Sequence, residues 1–139
     1  MKLSVKSDYA ARAVLELARF HSLGRVRRVE DLAHEQGIPA NYLVQILIEL
    51  KAKGIVKSVR GKDGGYLLAR LPAEISLGDV LRAIHGQVFE SPAQTDSRCP
   101  LELQAAWSKL QNAVNSAADQ ITFLQLAEEG PEKAKMYYI

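Results

Sequence analysis

Residues 32–47 read Leu32-Ala33-His34-Glu35-Gln36-Gly37-Ile38-Pro39-Ala40-Asn41-Tyr42-Leu43-Val44-Gln45-Ile46-Leu47. Gly37 can adopt the left-handed conformation that ends a helix. Pro39 cannot continue a helix but can begin one, since its missing amide would have no partner there. The stretch therefore predicts two helices joined by a tight turn. The first covers about 29–36, with Leu32 and Ala33 inward and Glu30 and Asp31 at the positive end of its dipole. The second covers about 40–53, with an inner stripe of Leu43, Ile46, Leu47 and Leu50, and ends at Gly54. Two helices on a short glycine-containing turn form a helix-turn-helix.

Beyond Gly54 the period changes. Ile55-Val56-Lys57-Ser58-Val59-Arg60 reads as a strand, Gly61-Lys62-Asp63-Gly64-Gly65 as a turn, and Tyr66-Leu67-Leu68-Ala69 as the returning strand. Upstream, Val5, Tyr9, Ala13, Val14, Leu17 and Ala18 recur at helical spacing; Ser4 or Ser7 can cap that helix and Gly24 closes it. Downstream, Ser76 and Asp79 form a capping box for a helix carrying Leu77, Val80, Leu81 and Ile84 and stopping at Gly86. A loop covers 87–100, and a long helix 101–120 follows. Thr122 and Gln125 start a last short helix through Glu129, which Gly130-Pro131 stops, leaving a mixed tail. The fold class is mainly α with a small β-hairpin wing. A winged helix-turn-helix over 1–75 precedes a unit over 76–139 that holds a linker helix, the 87–100 loop and a long C-terminal helix.

Composition narrows the function. The 139 residues carry a net charge of only +2, but its distribution is uneven. Residues 1–75 hold thirteen Lys and Arg against eight Asp and Glu, whereas 76–139 hold five against eight. A basic front half suits a polyanionic partner. The single cysteine, Cys99, excludes an intrachain disulfide and a multi-thiolate zinc site within one chain. No apolar stretch is long enough to span a bilayer and no signal core is present, so a cytoplasmic protein without a membrane partner is expected. His21, His34 and His85 are scattered, and no nucleophile–base constellation or carboxylate pair suggests catalysis, so no enzyme activity and no metal site are expected.

The outer face of the helix at 40–53 presents Asn41, Val44, Gln45 and Ile48, with Ala52 at its edge. Amide side chains can bond adenine edges in the major groove, and aliphatic ones can touch thymine methyls. Lys57, Arg60 and Lys62 lie on or beside the glycine-rich tip, where cations can contact phosphates or enter a minor groove. Arg27 and Arg28 stand where a capping hydroxyl is usual; they clamp phosphates or merely weaken the cap. The competing readings are a solvated helix face and a hairpin whose lysines block edge aggregation. The long helix carries Leu103, Trp107, Leu110, Val114 and Ile121 on one side, with few elements left to cover them, which points to a second copy of the chain.

Met1-Lys2-Leu3-Ser4 leading into Asp8-Tyr9-Ala10, then Gly37-Ile38-Pro39-Ala40-Asn41-Tyr42-Leu43 with Gln45, then Ser58-Val59-Arg60-Gly61 and Gly64-Gly65-Tyr66-Leu67-Leu68-Ala69-Arg70 together resemble the Rrf-type bacterial regulators, the IscR/NsrR/CymR group. The resemblance covers about residues 1–125. It implies a homodimeric transcriptional regulator, a repressor in type, that binds palindromic double-stranded DNA. It places readout at Asn41, Gln45 and Arg60, with Tyr42 as a backbone contact, and makes the long helix the dimer element.

The sequence departs from the family in its sensor. The best-known members hold an iron–sulfur cluster through three cysteines in the loop before the long helix, whereas this loop has one thiol. Serine and threonine hydroxyls are poor substitutes. No cofactor is therefore expected, and a non-standard cluster assembled from two chains is the remaining redox alternative. Asp8 matches a carboxylate ligand of some relatives but reads here as an acid in a helix first turn. Cys99, beside Arg98 and before a helix, is the sensor candidate as a reactive thiol. The reading from another class is an interaction module governed by a regulatory protein partner, through the acidic rear half and Tyr137-Tyr138.

Overall fold

A computed structural model describes the backbone of residues 2–137 and the side chains of 2–93 and 95–130. Its helices are α1 (Val5–His21), α2 (Val29–Gln36), α3 (Ala40–Ala52), α4 (Leu77–His85), α5 (Leu101–Gln120) and α6 (Phe123–Tyr137). Strands β1 (Val56–Val59) and β2 (Gly65–Leu68) lie between α3 and α4 and pair antiparallel, Val56 opposite Leu68 and Val59 opposite Gly65. The expected architecture, mainly helical with a hairpin wing, is the one observed.

Local chemistry explains the boundaries. Ser4 caps α1, its Oγ accepting from the Ser7 amide at 3.1 Å. Gly37 closes α2 in the left-handed region at φ 65°. Ser76 and Asp79 form the reciprocal box at α4, and Thr122 and Gln125 do the same ahead of α6. Two expectations fail. Val5 faces solvent, so the inner stripe of α1 runs from Ala10 through Ala18 instead. The last helix is also not short: Gly130 breaks it at φ 67°, where a stop is expected, but helical backbone resumes to Tyr137 because Pro131 favours a new first turn.

One core holds the elements together. Val14 and Leu17 of α1, Leu32 of α2, Leu43, Ile46, Leu47 and Leu50 of α3, Val80 of α4 and Phe123 of α6 are all fully buried in it. Each such aliphatic or aromatic side chain contributes about 1.5–3 kcal/mol relative to exposure. The start of α4 and the α5–α6 joint are tied by backbone: Leu77 N–H donates to the Ile121 carbonyl and Phe123 N–H to that of Ile75, both at 2.9 Å. Buried Gly78 lets α5 approach there, since a Cβ would strike the Asp119 carboxylate, which pairs with Arg82. That contact holds the Arg82 guanidinium above its ordinary pKa, chiefly by the hydrogen bond from Arg82 to Asp119.

A buried ionic group sits at the edge of this core. The Arg27 side chain donates to Glu35 at 2.7 Å and to Glu16 at 3.4 Å, and lies over the Phe20 ring at 3.9 Å. Glu16 also accepts from Arg19 and Gln36. Arg27 and Glu16 keep only 9% and 10% of their side-chain surface. The alternative of Arg27 as a phosphate clamp is therefore overturned: its charge is spent on two carboxylates and cannot reach a ligand. The hydrogen bond from Arg27 lowers the Glu35 carboxyl below its ordinary pKa.

Removing one partner of a buried ion pair leaves the other charge uncompensated. Glu16→Ala should cost about 3 kcal/mol in urea denaturation, and equal stability to wild type would show the group to be dispensable. Glu35 behaves differently because it is half-exposed. Its depressed carboxyl adds stability above the unfolded value near 4.5 that is lost as pH falls through the lower folded value. The stability gap between wild type and Glu35→Gln should accordingly narrow on acidification; a gap that widens would reverse the sign.

Candidate nucleic-acid interface

The helix-turn-helix and the wing share one side of the molecule. Burial of Leu43, Ile46, Leu47 and Leu50 fixes the rotation of α3, which leaves Asn41, Tyr42, Gln45 and Ile48 exposed and Val44 half-buried. Tyr42 packs edge-on against Tyr9 of α1, ring centres 5.8 Å apart. The side chains of Asn41, Gln45, Lys57, Arg60 and Lys62 are exposed and make no hydrogen bond or ion pair among the described residues. Arg28 is exposed at the start of α2 and donates to the Lys62 carbonyl at 3.0 Å, tying the turn of the wing to the helix-turn-helix.

The wing is docked by backbone. Arg27 and Tyr66 exchange both backbone hydrogen bonds, at 2.7 and 2.8 Å, so residue 27 serves as a third, one-residue strand beside β2. Glycine is required at the crossing. A Cβ on Gly65 would collide with the Arg27 carbonyl, and one on Gly64 with that of Val59. On the other side of the hairpin, Lys51 of α3 donates to Ser58 of β1 at 2.7 Å. Arg60 is thereby held on a hairpin braced against both helices of the motif.

The C-terminal half presents a different surface. Of the twenty residues of α5, only Ala118 is buried; Leu103, Trp107 and Leu110 remain 43%, 36% and 44% exposed, and Ile121 is exposed beside them. Val114 is half-buried and lines a shallow cavity together with Leu81 and Val88. Cys99 is half-buried in a turn in which its amide donates to the Asp96 carbonyl at 3.1 Å and its carbonyl accepts from Gln104. The side chains of Tyr137 and Tyr138, named as a partner surface, lie outside the described residues.

The model of the Rrf2 iron-dependent transcriptional regulators matches residues 3–129 of the chain. This chain belongs to the Rrf2 family. The CymR transcriptional regulator of Bacillus subtilis is 32% identical over the full length of both chains. The solved structure of that global cysteine regulator superposes with a TM-score of 0.83 at 29% identity, covering 94% of this chain and 99% of that one. The structure of T. potens IscR superposes at 0.76 with 31% identity, covering 99% and 97%. A putative HTH-type transcriptional regulator of Mycobacterium tuberculosis is 50% identical over 86 residues, 62% of this chain and 53% of that protein, so the match spans about half of that relative's length. These Rrf2 relatives are transcriptional regulators, not enzymes.

Rrf2 regulators are described as iron-dependent, which makes the donor set of this chain informative. Cluster irons are held by thiolates. The 86–100 segment offers one, in Cys99. Asp8 is engaged with Arg12 at 2.7 Å, and Asp96 with Arg98 at 3.3 Å. Among the described residues no three His, Cys, Asp or Glu side chains gather closely enough to hold a metal ion. The residues of one chain do not fit a conventional cluster.

Sequence reasoning missed the group around Arg27. A signal existed: Ala13, Glu16, Leu17 and Phe20 share one helical stripe, and an acid within an apolar stripe calls for a cationic partner. It also missed the place of His85, which lies against Ser7 of α1 and its N-cap Ser4. Pairings across 78 and 81 residues carry no local spacing.

Gly65→Ala should break the Arg27–Tyr66 bridge and free the wing. Amide exchange would show it as lost protection at Arg27 and Tyr66, with α1 and the inner face of α3 still protected. Retained protection at both positions would mean that the backbone can absorb the methyl.

Proposed function

We propose that the protein is a cytoplasmic, homodimeric repressor of transcription that reads a palindromic operator. One observation carries the reading: on the solvent side of α3 and the wing, Asn41, Gln45, Lys57, Arg60 and Lys62 are exposed and unspent, whereas nearby Arg27 is fully consumed by internal partners. Amide groups on a helix of this width suit adenine edges in a major groove. Val44 and Ile48 meet thymine methyls. Arg60 at the hairpin tip enters the flanking minor groove, where the field is strongest. Lys57, Lys62 and Arg28 neutralise phosphates, and Tyr42 meets the backbone.

The second copy covers the exposed stripe of α5. Twenty helical residues span about 30 Å, long enough for a crossed helix pair to separate two reading heads by about one helical turn of DNA, roughly 34–36 Å. Leu103, Trp107, Leu110, Val114 and Ile121 form the seam. No resident cluster is part of this function; Cys99 and the 87–100 loop remain the place where a signal acts.

Gln45→Ala and Arg60→Ala should each weaken binding to the selected operator by about 1–3 kcal/mol, the worth of a bidentate base contact. Selectivity unchanged in both variants would remove the assigned reading face. Wild-type affinity should fall steeply with salt, as counterion release demands.

Trp107 is the only tryptophan, so its emission reports the seam directly. Dilution should shift it to the red as dimers dissociate, and Leu103→Glu should give a monomer in sedimentation. A dimeric Leu103→Glu variant would place the interface elsewhere. Protein purified without oxygen should be colourless and free of iron; a visible band with bound iron would restore the cluster reading.

A further inference from the structure

We infer that His85, the last residue of α4, is a positioning residue for DNA recognition, acting through the first turn of α1. The inference rests on the reading of α3 as the groove helix. Its starting point is a three-group contact between parts of the chain about eighty residues apart. His85 Nε2 lies 2.6 Å from Ser7 Oγ and 2.8 Å from Ser4 Oγ. Ser4 Oγ donates to Ser7 Oγ at 3.0 Å while accepting from the Ser7 amide. With the ring proton on Nδ1, Ser7 Oγ can donate to Nε2 while accepting from Ser4 Oγ. Ser7 is only 1% exposed, so breaking the contact would strand its hydroxyl without water.

The same turn of α1 grips α3 from its other side. Lys6 Nζ lies 2.8 Å from both carboxylate oxygens of Glu49, and Tyr9 packs edge-on against Tyr42. Tyr42, Gln45 and Glu49 are spaced three and four apart, so they form one stripe of α3. The two residues that α1 holds therefore bracket Gln45, the amide assigned to base reading. Rotation of α3 about its axis, or a slide along it, must move the Lys6–Glu49 and Tyr9–Tyr42 contacts together. The chain of contact runs from His85 to Ser4 and Ser7, through one helical turn to Lys6 and Tyr9, and on to Glu49 and Tyr42.

The location gives the contact its use. His85 is the last residue of α4, and Gly86 opens the loop that leads to Cys99 and α5. Because Gly86 follows His85 directly in the chain, a displacement of that loop acts on His85. The buried inner face of α3 keeps its place on the core, while its outer stripe is set by a polar clamp that a shift of His85 releases. Base selectivity should depend on the clamp more than phosphate affinity does, because selectivity needs the amides placed to within hydrogen-bond tolerance.

The test uses the full chain and the DNA that wild type enriches from random sequence. Affinity is measured at one salt concentration for that DNA and for an unrelated duplex. His85→Ala should lower the ratio of the two by about five- to tenfold, at the low end of couplings between distant sites, with affinity for the unrelated duplex unchanged. His85→Gln, whose amide can meet the same hydroxyls, should restore most of the ratio. In a Lys6→Met background, where one of the two clamp contacts is already cut, the effect of His85→Ala should shrink, so that the double variant loses less than the sum of the single ones. In the free protein, the amide resonances of Tyr42 and Gln45 should move in His85→Ala and return in His85→Gln. Equal weakening on both duplexes, full additivity with Lys6→Met, or unmoved α3 resonances would each overturn the role of His85. Failure of wild type to enrich any sequence would instead overturn the reading of α3 itself.

Discussion

A guanidinium placed inside a small protein must find acceptors, and the need of Arg27 for Glu16 and Glu35 organises the N-terminal half of this chain. The side chain gathers α1 and α2 around one charge, with Phe20 as its apolar floor. The backbone of the same residue pairs with Tyr66 and so carries the wing. Orientation of the hairpin relative to the helix-turn-helix therefore follows from where Arg27 can be satisfied. Hydrophobic contact alone would leave a two-stranded hairpin free to tilt, because apolar packing is non-directional. Directional bonds to a buried charge remove that freedom.

The exposed stripe of α5 follows the opposite logic. Its side chains are large and apolar, yet among the described residues it is chiefly α4 and the turn at Pro92–Thr95 that pack against the helix. A soluble chain rarely leaves such a stripe to water. The basic half leaves Lys57, Arg60 and Lys62 exposed on and beside the wing, and the other half leaves the stripe of α5 exposed. The near-neutral total charge conceals this division of labour. Between them stands α4, with Val80 in the core, Arg82 paired to Asp119 of α5, and His85 against α1. It is the element through which events at one surface are felt at the other.

Much of this was legible because it depends on neighbours in sequence. Caps at Ser4, Ser76 and Thr122, the turn at Gly37-Ile38-Pro39 and the strand period after Gly54 are decided within a few residues. So are the bounds of α2 and α5. The outer residues of α3 follow from its inner stripe by helical geometry alone. The rest required pairings across the chain. Arg27 and Arg28 look alike side by side, but one is buried and the other exposed. The difference arises from Glu16, Glu35 and Phe20, which surround only the first. Val5 continues the stripe of α1 by spacing, yet nothing in the fold reaches back to cover it.

The sequence by itself determined the order of helices and hairpin, the inner and outer faces of α3, and the lack of thiolates for a conventional cluster. These are matters of period, turn chemistry and residue count. Only the tertiary structure decided that Arg27 is spent inside, that Gly64 and Gly65 are needed for a backbone crossing, and that His85 meets Ser4 and Ser7. The physical reason is shared: a polar group's role is set by which partner satisfies it, and that partner can come from anywhere in the chain.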